Sequence, residues 1–231
     1  MSTAIIAALP RELKGLVSGW EQVETLRPEV SVYRRGRAMA ACAGIGVDCA
    51  ALAVDAVLRH AREQGRTPEE LISFGLAGAC DPTLRAGDLR WCGTVVDARS
   101  GERFAAVGGD AVLVTASTIA SVAEKRRLRA SYGAALVDME AAAVARLARA
   151  HGLRFRALKA VSDTAYEAVE TLTKFVTQTG HFREGAFALH TALRPAQWSS
   201  AIRLGRGSAA ALRAATLELA RELGPGISER V

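Results

Sequence analysis

The sequence is poor in aromatic residues and cysteines, and neither type forms a pattern that marks a binding site. Only 5% of the 231 residues are Phe, Trp or Tyr, so a core of Ala, Leu and Val is expected and an aromatic RNA-binding platform is not. The four cysteines form no Cys-x-x-Cys pair, which argues against a zinc finger and predicts reduced, mostly buried thiols. The four histidines also lack ligand spacing, so neither a metal nor another cofactor is expected.

Long apolar runs are also missing. The apolar segment 3–9 is too short to cross a membrane and has no basic residues before it, so it predicts a first buried strand rather than an anchor or signal peptide. The net charge of +6 comes from scattered arginines, which indicates solvated helix faces rather than a nucleic-acid partner. We expect a cytoplasmic protein whose charge favours loose peripheral contact with an anionic membrane.

The remaining pattern is an alternation of apolar strands and helices. It predicts one domain over residues 1–231, an α/β protein built as a three-layer α/β/α sandwich. Pairs of neighbouring strands predict a mixed central sheet. The predicted segments are strand 3–9, helix 10–17, a hairpin of 30–35 and 38–43, a helix capped by Asp48 and ending near 64, strand 71–74 followed by a glycine loop 75–78, strand-like runs 87–96, 103–107 and 111–115, helix 117–131, and a helical tail over about 172–223 formed by 172–193 and 197–223.

Two carboxylates follow the ends of successive buried strands. Glu140 follows Met139 at the end of the predicted buried strand 135–138, and Asp163 follows Ser162 at the end of the next predicted strand, 159–161. Because ligands of open α/β sheets bind beyond the strand ends, this arrangement indicates a small-molecule site. Each feature also has a structural interpretation: Glu140 suits the first turn of a helix, Asp163 suits a cap, and the glycines suit a plain turn.

Six short motifs follow one another along the chain. They are Ile5-Ile-Ala-Ala-Leu-Pro-Arg-Glu-Leu13, Gly44-Ile-Gly46, Gly75-Leu-Ala-Gly-Ala79, Gly87-Asp88, Val137-Asp-Met-Glu-Ala141 and Val161-Ser-Asp163. Their order resembles that of the nucleoside phosphorylase and nucleosidase superfamily, in particular the methylthioadenosine/adenosylhomocysteine nucleosidases. The resemblance covers residues 3–164 and implies the purine/uridine phosphorylase-like fold, with a partly barrel-like central sheet.

The resemblance implies a role for each residue at the strand ends. Asp163 would be the general acid at N7 of a purine, and Ser162 would orient it. Glu140 would hold the ribose hydroxyls while Met139 packs against the sugar. Ala77 and Gly78 would also bind the substrate.

The resemblance also bears on the nucleophile. Glu12 would position and deprotonate the attacking water. The superfamily's phosphorylases typically hold two arginines and a serine at places that here are Glu12, Ser73 and Leu76. A carboxylate at a phosphate site repels the anion, which favours hydrolysis. Arg11 is the candidate replacement phosphate ligand, so phosphorolysis stays an alternative.

Two regions differ from the corresponding regions of the nucleosidases, and the C-terminal tail is similar to another branch of the superfamily. The stretch between Asp88 and Val114 is short by about one helix, and the segment 116–121 lacks the aromatic residue that usually stacks on the base. Residues 193–198, 202–206 and 210–213 are similar to the hopanoid-associated phosphorylase branch, which implies adenosylhopane as the substrate. Helices bearing Phe175, Phe182, Phe187 and Trp198 would border a groove for its lipid group, or else form core and dimer packing.

Several alternatives remain beside the adenosylhopane nucleosidase. They are a methylthioadenosine/adenosylhomocysteine nucleosidase, a futalosine nucleosidase, a phosphorolytic purine nucleoside phosphorylase and a non-catalytic nucleoside-binding protein. The expected partners are a nucleoside that carries a lipid group, phosphate in the phosphorolytic alternative, and a second copy of the chain in a homodimer, the oligomer favoured by the resemblance.

Overall fold

The computed structural model describes residues 2–175, 177, 180, 183 and 198–224, and the side chains of 170, 171 and 198–206 lie outside that description. Within these residues, ten strands alternate with five α-helices and one 3-10 helix. The strands are β1 (Thr3–Ala7), β2 (Glu21–Val23), β3 (Ser31–Arg35), β4 (Ala38–Cys42), β5 (Glu70–Ala79), β6 (Leu89–Asp97), β7 (Arg103–Ala105), β8 (Ala111–Thr115), β9 (Leu136–Asp138) and β10 (Arg154–Asp163). The helices are α1 (Pro10–Leu13), α2 (Val47–Glu63), α3 (Val122–Tyr132), α4 (Ala141–Ala150) and α5 (Trp198–Leu223), with the 3-10 helix at Glu170–Phe175.

All ten strands belong to one mixed sheet, part of which closes into a barrel. β5 pairs with β10, β10 with β6, β6 with β8, β8 with β9, and β9 with β5, so these five strands form a ring. From β5 the sheet continues outward through β1, β4, β3 and β2. The predicted mixed, partly barrel-like sheet is therefore confirmed.

Helices pack on both faces of this sheet because the strands are apolar on both sides. In β1, Ala4 and Ile6 join a core cluster with α2 and α4, whereas Ile5 and Ala7 join a second cluster with α1 and α5. This division follows from the two-residue period of a strand. A fully buried side chain such as Ile5 contributes about 1.5–3 kcal/mol relative to an exposed one.

The glycine segment differs from its prediction as a loop. Residues 75–78 continue β5, which pairs with β10 from Glu70 as far as Gly78. The segment stays extended because β10 and β9 both offer hydrogen-bonding partners there. A strand of ten residues therefore replaces the predicted four-residue strand.

Three helix boundaries were also predicted incorrectly. Asp48 lies inside the first turn of α2, and Gly46, with φ of 104°, precedes that helix without a side-chain cap. α3 begins at Val122 because the Ser121 side chain accepts a hydrogen bond from the Glu124 N–H. α1 ends at Leu13, four residues before its predicted end.

Other differences concern short strands and the tail. β2 was not predicted, and β7 and β8 do not pair with each other, since both pair with β6. The predicted helix 172–193 falls mostly outside the described residues, whereas α5 ends at Leu223 as predicted. No helix in the described ranges is long and apolar enough to span a membrane.

The cysteines are packing residues. All four are buried and carry thiols rather than disulfides. Burial raises the pKa of Cys42, Cys80 and Cys92 to about 12, so these three thiols stay protonated at neutral pH.

Candidate active site

The predicted site residues come together around one cavity of about 170 Å³. Because β1, β5 and β10 run parallel, their carboxyl ends meet at one edge of the sheet, and the turn from β9 into α4 reaches the same place. The eight predicted residues all line this cavity: Arg11, Glu12, Ala77, Gly78, Met139, Glu140, Ser162 and Asp163. Their individual roles stay predictions.

Glu12 is a buried carboxylate held by backbone donors from two elements. Its Oε2 accepts hydrogen bonds from the N–H groups of Ala8 at 2.9 Å and Leu9 at 3.0 Å, and its Oε1 accepts one from Leu76 at 3.0 Å. The contact with Leu76 also explains why residue 75 is a glycine. Its φ is 139°, and a Cβ at this position would lie only 2.7 Å from Glu12 Oε1. The carboxylate is therefore fixed in place before any substrate binds.

Asp163 is buried at the end of β10, and both of its oxygens have partners. Ser162 Oγ lies 2.5 Å from Oδ1 and 3.2 Å from the Ala77 carbonyl oxygen. Lys125 forms an ion pair with Oδ2. The adjacent Gly78 has little space, since a Cβ there would be 3.0 Å from Asp163 Oδ2. Asp163 thus has one orientation, set by its neighbours in the fold.

Lys125 is the residue that the sequence interpretation missed. It stands in the charged run of α3, for which the sequence predicted a helix but no site residue, yet it is 1% exposed and lines the cavity. Lys125 and Leu128 are the buried residues of α3, and they stand at the i, i+3 spacing that places two side chains on one helix face. That spacing was the available signal, but it does not identify a partner.

A second buried ion pair lies under the start of α4. Lys159 Nζ is 3.0 Å from Asp138 Oδ2, and these side chains are 2% and 0% exposed. Thr115 donates to Asp138 Oδ1 at 2.7 Å, and the Ala141 N–H donates to Asp138 Oδ2 at 3.0 Å. Asp138 therefore satisfies a donor of the first turn of α4 and fixes the direction in which that helix leaves the sheet.

The position of Glu140 is set by this arrangement, and its side chain contacts a residue that is far away in the sequence. Its Oε1 accepts a hydrogen bond from the Gly46 N–H at 2.8 Å, and its Oε2 accepts one from the Met139 N–H at 3.1 Å. Burial and the negative charge of Asp138 raise the pKa of Glu140 to about 8, although Lys159 and the hydrogen bond from Gly46 oppose the shift. This carboxyl is therefore largely protonated at neutral pH.

This raised pKa predicts a dependence of stability on pH. In the unfolded chain the carboxyl has the ordinary value of 4.5, so between pH 4.5 and about 8 the folded state binds more protons. The contribution of Glu140 to the free energy of unfolding is therefore complete below pH 4.5 and is lost as the pH rises to 8. We expect Glu140→Gln to remove this slope, so that between pH 4.5 and 8 the variant gains about 4 kcal/mol of stability relative to wild type.

Urea unfolding at pH 5, 6.5 and 8 measures this effect for wild type and variant. The matched control is Glu63→Gln, at an exposed glutamate of α2, which should keep the wild-type slope. A constant difference between wild type and Glu140→Gln across these pH values would contradict the prediction.

The part of the cavity formed by the segment before α3 has no ring to stack on a base. Thr118, Ile119 and Ala120 line the cavity from this segment. Leu9, Ile45, Val169 and Leu172 also line it, so much of its wall is aliphatic. Within the described residues, no group of three or more His, Cys, Asp or Glu side chains is arranged to hold a metal ion.

A comparison with family models matches residues 107–193 to the Phosphorylase superfamily. The matched stretch contains Lys125, Met139, Glu140, Ser162 and Asp163. No curated protein matches the sequence. The match supports the resemblance to the nucleoside phosphorylase and nucleosidase superfamily.

Solved structures of nucleosidases share the fold. The apo 5′-methylthioadenosine nucleosidase of Arabidopsis thaliana has a TM-score of 0.62 and 20% identity, covering 84% of this chain and 96% of its own. A mutant nucleosidase of Helicobacter pylori with 5′-methylthioadenosine in the active site has a TM-score of 0.64 and 15% identity, covering 94% and 98%. The nucleosidase of Colwellia psychrerythraea in complex with adenine has a TM-score of 0.61 and 21% identity, covering 72% and 84%. The predicted fold class is thereby confirmed.

Proposed function

We propose that this protein is an N-ribosyl hydrolase that cleaves the N-glycosidic bond of an adenine nucleoside. The observation that carries the proposal is that two buried carboxylates from distant parts of the chain, Glu12 and Asp163, line the same cavity. A reaction that needs an acid for its leaving group and a base for its nucleophile requires two such groups. The family match and the shared fold support this enzyme class, a nucleosidase or nucleoside phosphorylase.

The proposed reaction assigns one proton transfer to each carboxylate. Asp163 donates a proton to N7, and the electron pair of the bond between C1′ and N9 leaves with the adenine. The sugar passes through an oxocarbenium-like state, and a water adds to C1′ while Glu12 accepts a proton from it. Glu140 accepts hydrogen bonds from the ribose hydroxyls, with Met139 against the sugar.

Water is the nucleophile that the charges in the cavity favour. Glu12 is fixed by three backbone donors, so it cannot turn away from an incoming phosphate. Two like charges about 4 Å apart repel by a few kcal/mol near a protein surface. Ser73, which stands where phosphorylases hold an arginine, is buried in β5 and is not among the cavity-lining residues. Phosphorolysis is the second candidate, because the exposed Arg11 also lines the cavity.

For the substrate, we propose adenosylhopane, a nucleoside whose 5′ group is a large lipid. The similarity of the tail to the hopanoid-associated branch supports this choice, as does the aliphatic part of the cavity wall. Of the four aromatic residues predicted to border a lipid groove, Phe175 is buried at 8% exposure. Phe182, Phe187 and the side chain of Trp198 lie outside the described residues. Methylthioadenosine, adenosylhomocysteine and futalosine are the alternative substrates.

A cytoplasmic location, a homodimer and loose membrane contact complete the proposal. The net charge of +6 would attract the protein to an anionic leaflet that contains the substrate. Light scattering measures the subunit number, and flotation with anionic vesicles measures the contact. A monomer, or equal recovery with neutral vesicles, would contradict these two parts separately.

Adenine release with and without phosphate tests the reaction. We expect equal rates in both conditions, with free sugar and no sugar 1-phosphate as the second product. Release that requires phosphate would overturn hydrolysis and assign the anion site to Arg11. Faster release from methylthioadenosine than from adenosylhopane or a soluble 5′-alkyl adenosine would overturn the lipid-linked substrate alone.

A further inference from the structure

A buried ammonium group stands beside the proposed acid. Lys125 Nζ forms an ion pair with Asp163 Oδ2 and donates to the carbonyl oxygens of Thr164 at 2.8 Å and Glu167 at 3.2 Å. A lysine ammonium has three N–H donors, so this set uses all of them. The side chain reaches this position from the first turn of α3, across a separation of 38 residues from Asp163.

Lys125 contacts the carboxylate oxygen of Asp163 that Ser162 does not contact. Ser162 Oγ holds Oδ1 at 2.5 Å, and Lys125 holds Oδ2, so neither carboxylate oxygen can rotate without losing a charged or hydroxyl partner. Burying a cation is unfavourable unless it is paired and hydrogen-bonded. The anion that pairs with Lys125 is Asp163, which lines the cavity together with Glu12. A cation buried only for packing could have paired with a carboxylate outside the cavity.

Lys125 also ties down the segment that follows β10. Its bonds to the carbonyls of Thr164 and Glu167 hold a turn in which the Thr164 N–H donates to Glu167 Oε2 at 2.7 Å. That turn leads to Val169 and Leu172, which line the cavity. One side chain thus positions the acid and supports the wall beside it.

We propose that Lys125 is a positioning residue that acts through Asp163 in leaving-group protonation. The inference rests on the proposed function. Asp163, an anion in its ion pair with Lys125, takes up a proton from solvent when the nucleoside binds. That proton then passes to N7 as the electron pair of the bond between C1′ and N9 leaves with the adenine, and Asp163 becomes an anion again. Lys125 keeps its own protons and stabilises that anion, because a fixed cation aimed at a developing charge needs no reorganisation during the reaction.

A double-mutant cycle separates this role from a structural one. Lys125→Met should lower kcat for adenine release by about 10- to 100-fold, with a smaller effect on KM, since its three donors are used by Asp163, Thr164 and Glu167. In the D163N background the same substitution should change kcat less than about twofold, because the group through which it acts is gone. The cycle uses the full-length protein with 5′-alkyl adenosine and excess enzyme.

Two companion variants keep the experiment decisive if Lys125→Met alone folds poorly. Lys125→Arg retains the charge and should recover most of the lost kcat. K125M with D163N removes both charges of the pair and should fold better than K125M alone. Lys14→Met, at an exposed lysine that does not line the cavity, is the matched control and should keep wild-type kcat.

The outcomes distinguish this inference from the function on which it rests. Equal losses from K125M in the wild-type and D163N backgrounds would show a merely structural lysine and overturn the inference alone. Wild-type kcat in folded K125M would do the same. Absence of adenine release by the wild type, from 5′-alkyl adenosine and from methylthioadenosine, would overturn the proposed function and the inference with it.

Discussion

Asp163→Asn is expected to lower adenine release by about 10²- to 10⁴-fold, the usual effect of removing a general acid. The amide keeps the size of the side chain and can still accept a hydrogen bond from Ser162, whose Oγ lies 2.5 Å from Oδ1. It has no proton acidic enough to give to N7. Binding of the nucleoside should therefore change much less than kcat, and single-turnover assays with calorimetric binding measure both quantities.

The interpretation of Asp163→Asn requires that the variant folds. Its change leaves Lys125 beside a neutral amide, which removes the charge partner of a side chain only 1% exposed. Thermal unfolding should therefore be measured alongside activity. Asp110→Asn, at an exposed aspartate outside the cavity, is the matched control. Wild-type turnover by a folded D163N would exclude Asp163 as the acid. A wild-type protein that binds nucleosides without turnover would instead indicate the non-catalytic alternative.

Glu12→Gln is expected to reduce hydrolysis by at least about 10²-fold, because an amide cannot accept a proton from water. It should also destabilise the protein. The carboxylate accepts from three backbone N–H groups with both of its oxygens, whereas an amide has a single acceptor oxygen. At least one buried donor then loses its partner, which costs about 1–3 kcal/mol.

The loss of activity and the loss of stability in Glu12→Gln can be separated. Adenine release should be measured well below the unfolding temperature, together with binding of a non-hydrolysable nucleoside analogue. Retained binding with lost turnover would support the base, and Glu63→Gln is the exposed control. Retained turnover in the absence of phosphate would show that another group activates the water.

Some residues of the candidate site could be predicted from patterns among neighbouring residues in the sequence. Asp163 and Glu140 were found because a strand end followed by a polar residue is a pattern within a few neighbouring positions. Asp48 shows the weakness of the same reasoning. Aspartate is a suitable residue type for a helix cap, yet α2 already begins at Val47, and Gly46 occupies the cap position. Several residue types are acceptable near a helix start, so composition alone leaves the start uncertain.

The glycine segment and Lys125 show what local patterns leave out. Gly75 suggested a loop, whereas the extended conformation is maintained by pairing with β10, whose residues lie about 80 positions further along the chain. The absence of a Cβ at Gly75, where φ is 139°, instead leaves room for the Glu12 carboxylate. Lys125 stood among arginines in a charged helix, and its sequence neighbours give no sign of a buried anion.

The sequence by itself determined the α/β class and the mixed sheet, because these follow from apolar periodicity. It also identified eight residues that line the cavity, because the order of its short motifs resembles that of the nucleosidases. Only the tertiary structure decided which charges meet. The Gly46 N–H reaches Glu140 across 94 residues, and Lys125 reaches Asp163 across 38. Such contacts depend on the closure of the barrel and on where α3 packs against it, and these are set by burial over the whole chain rather than by adjacent residues.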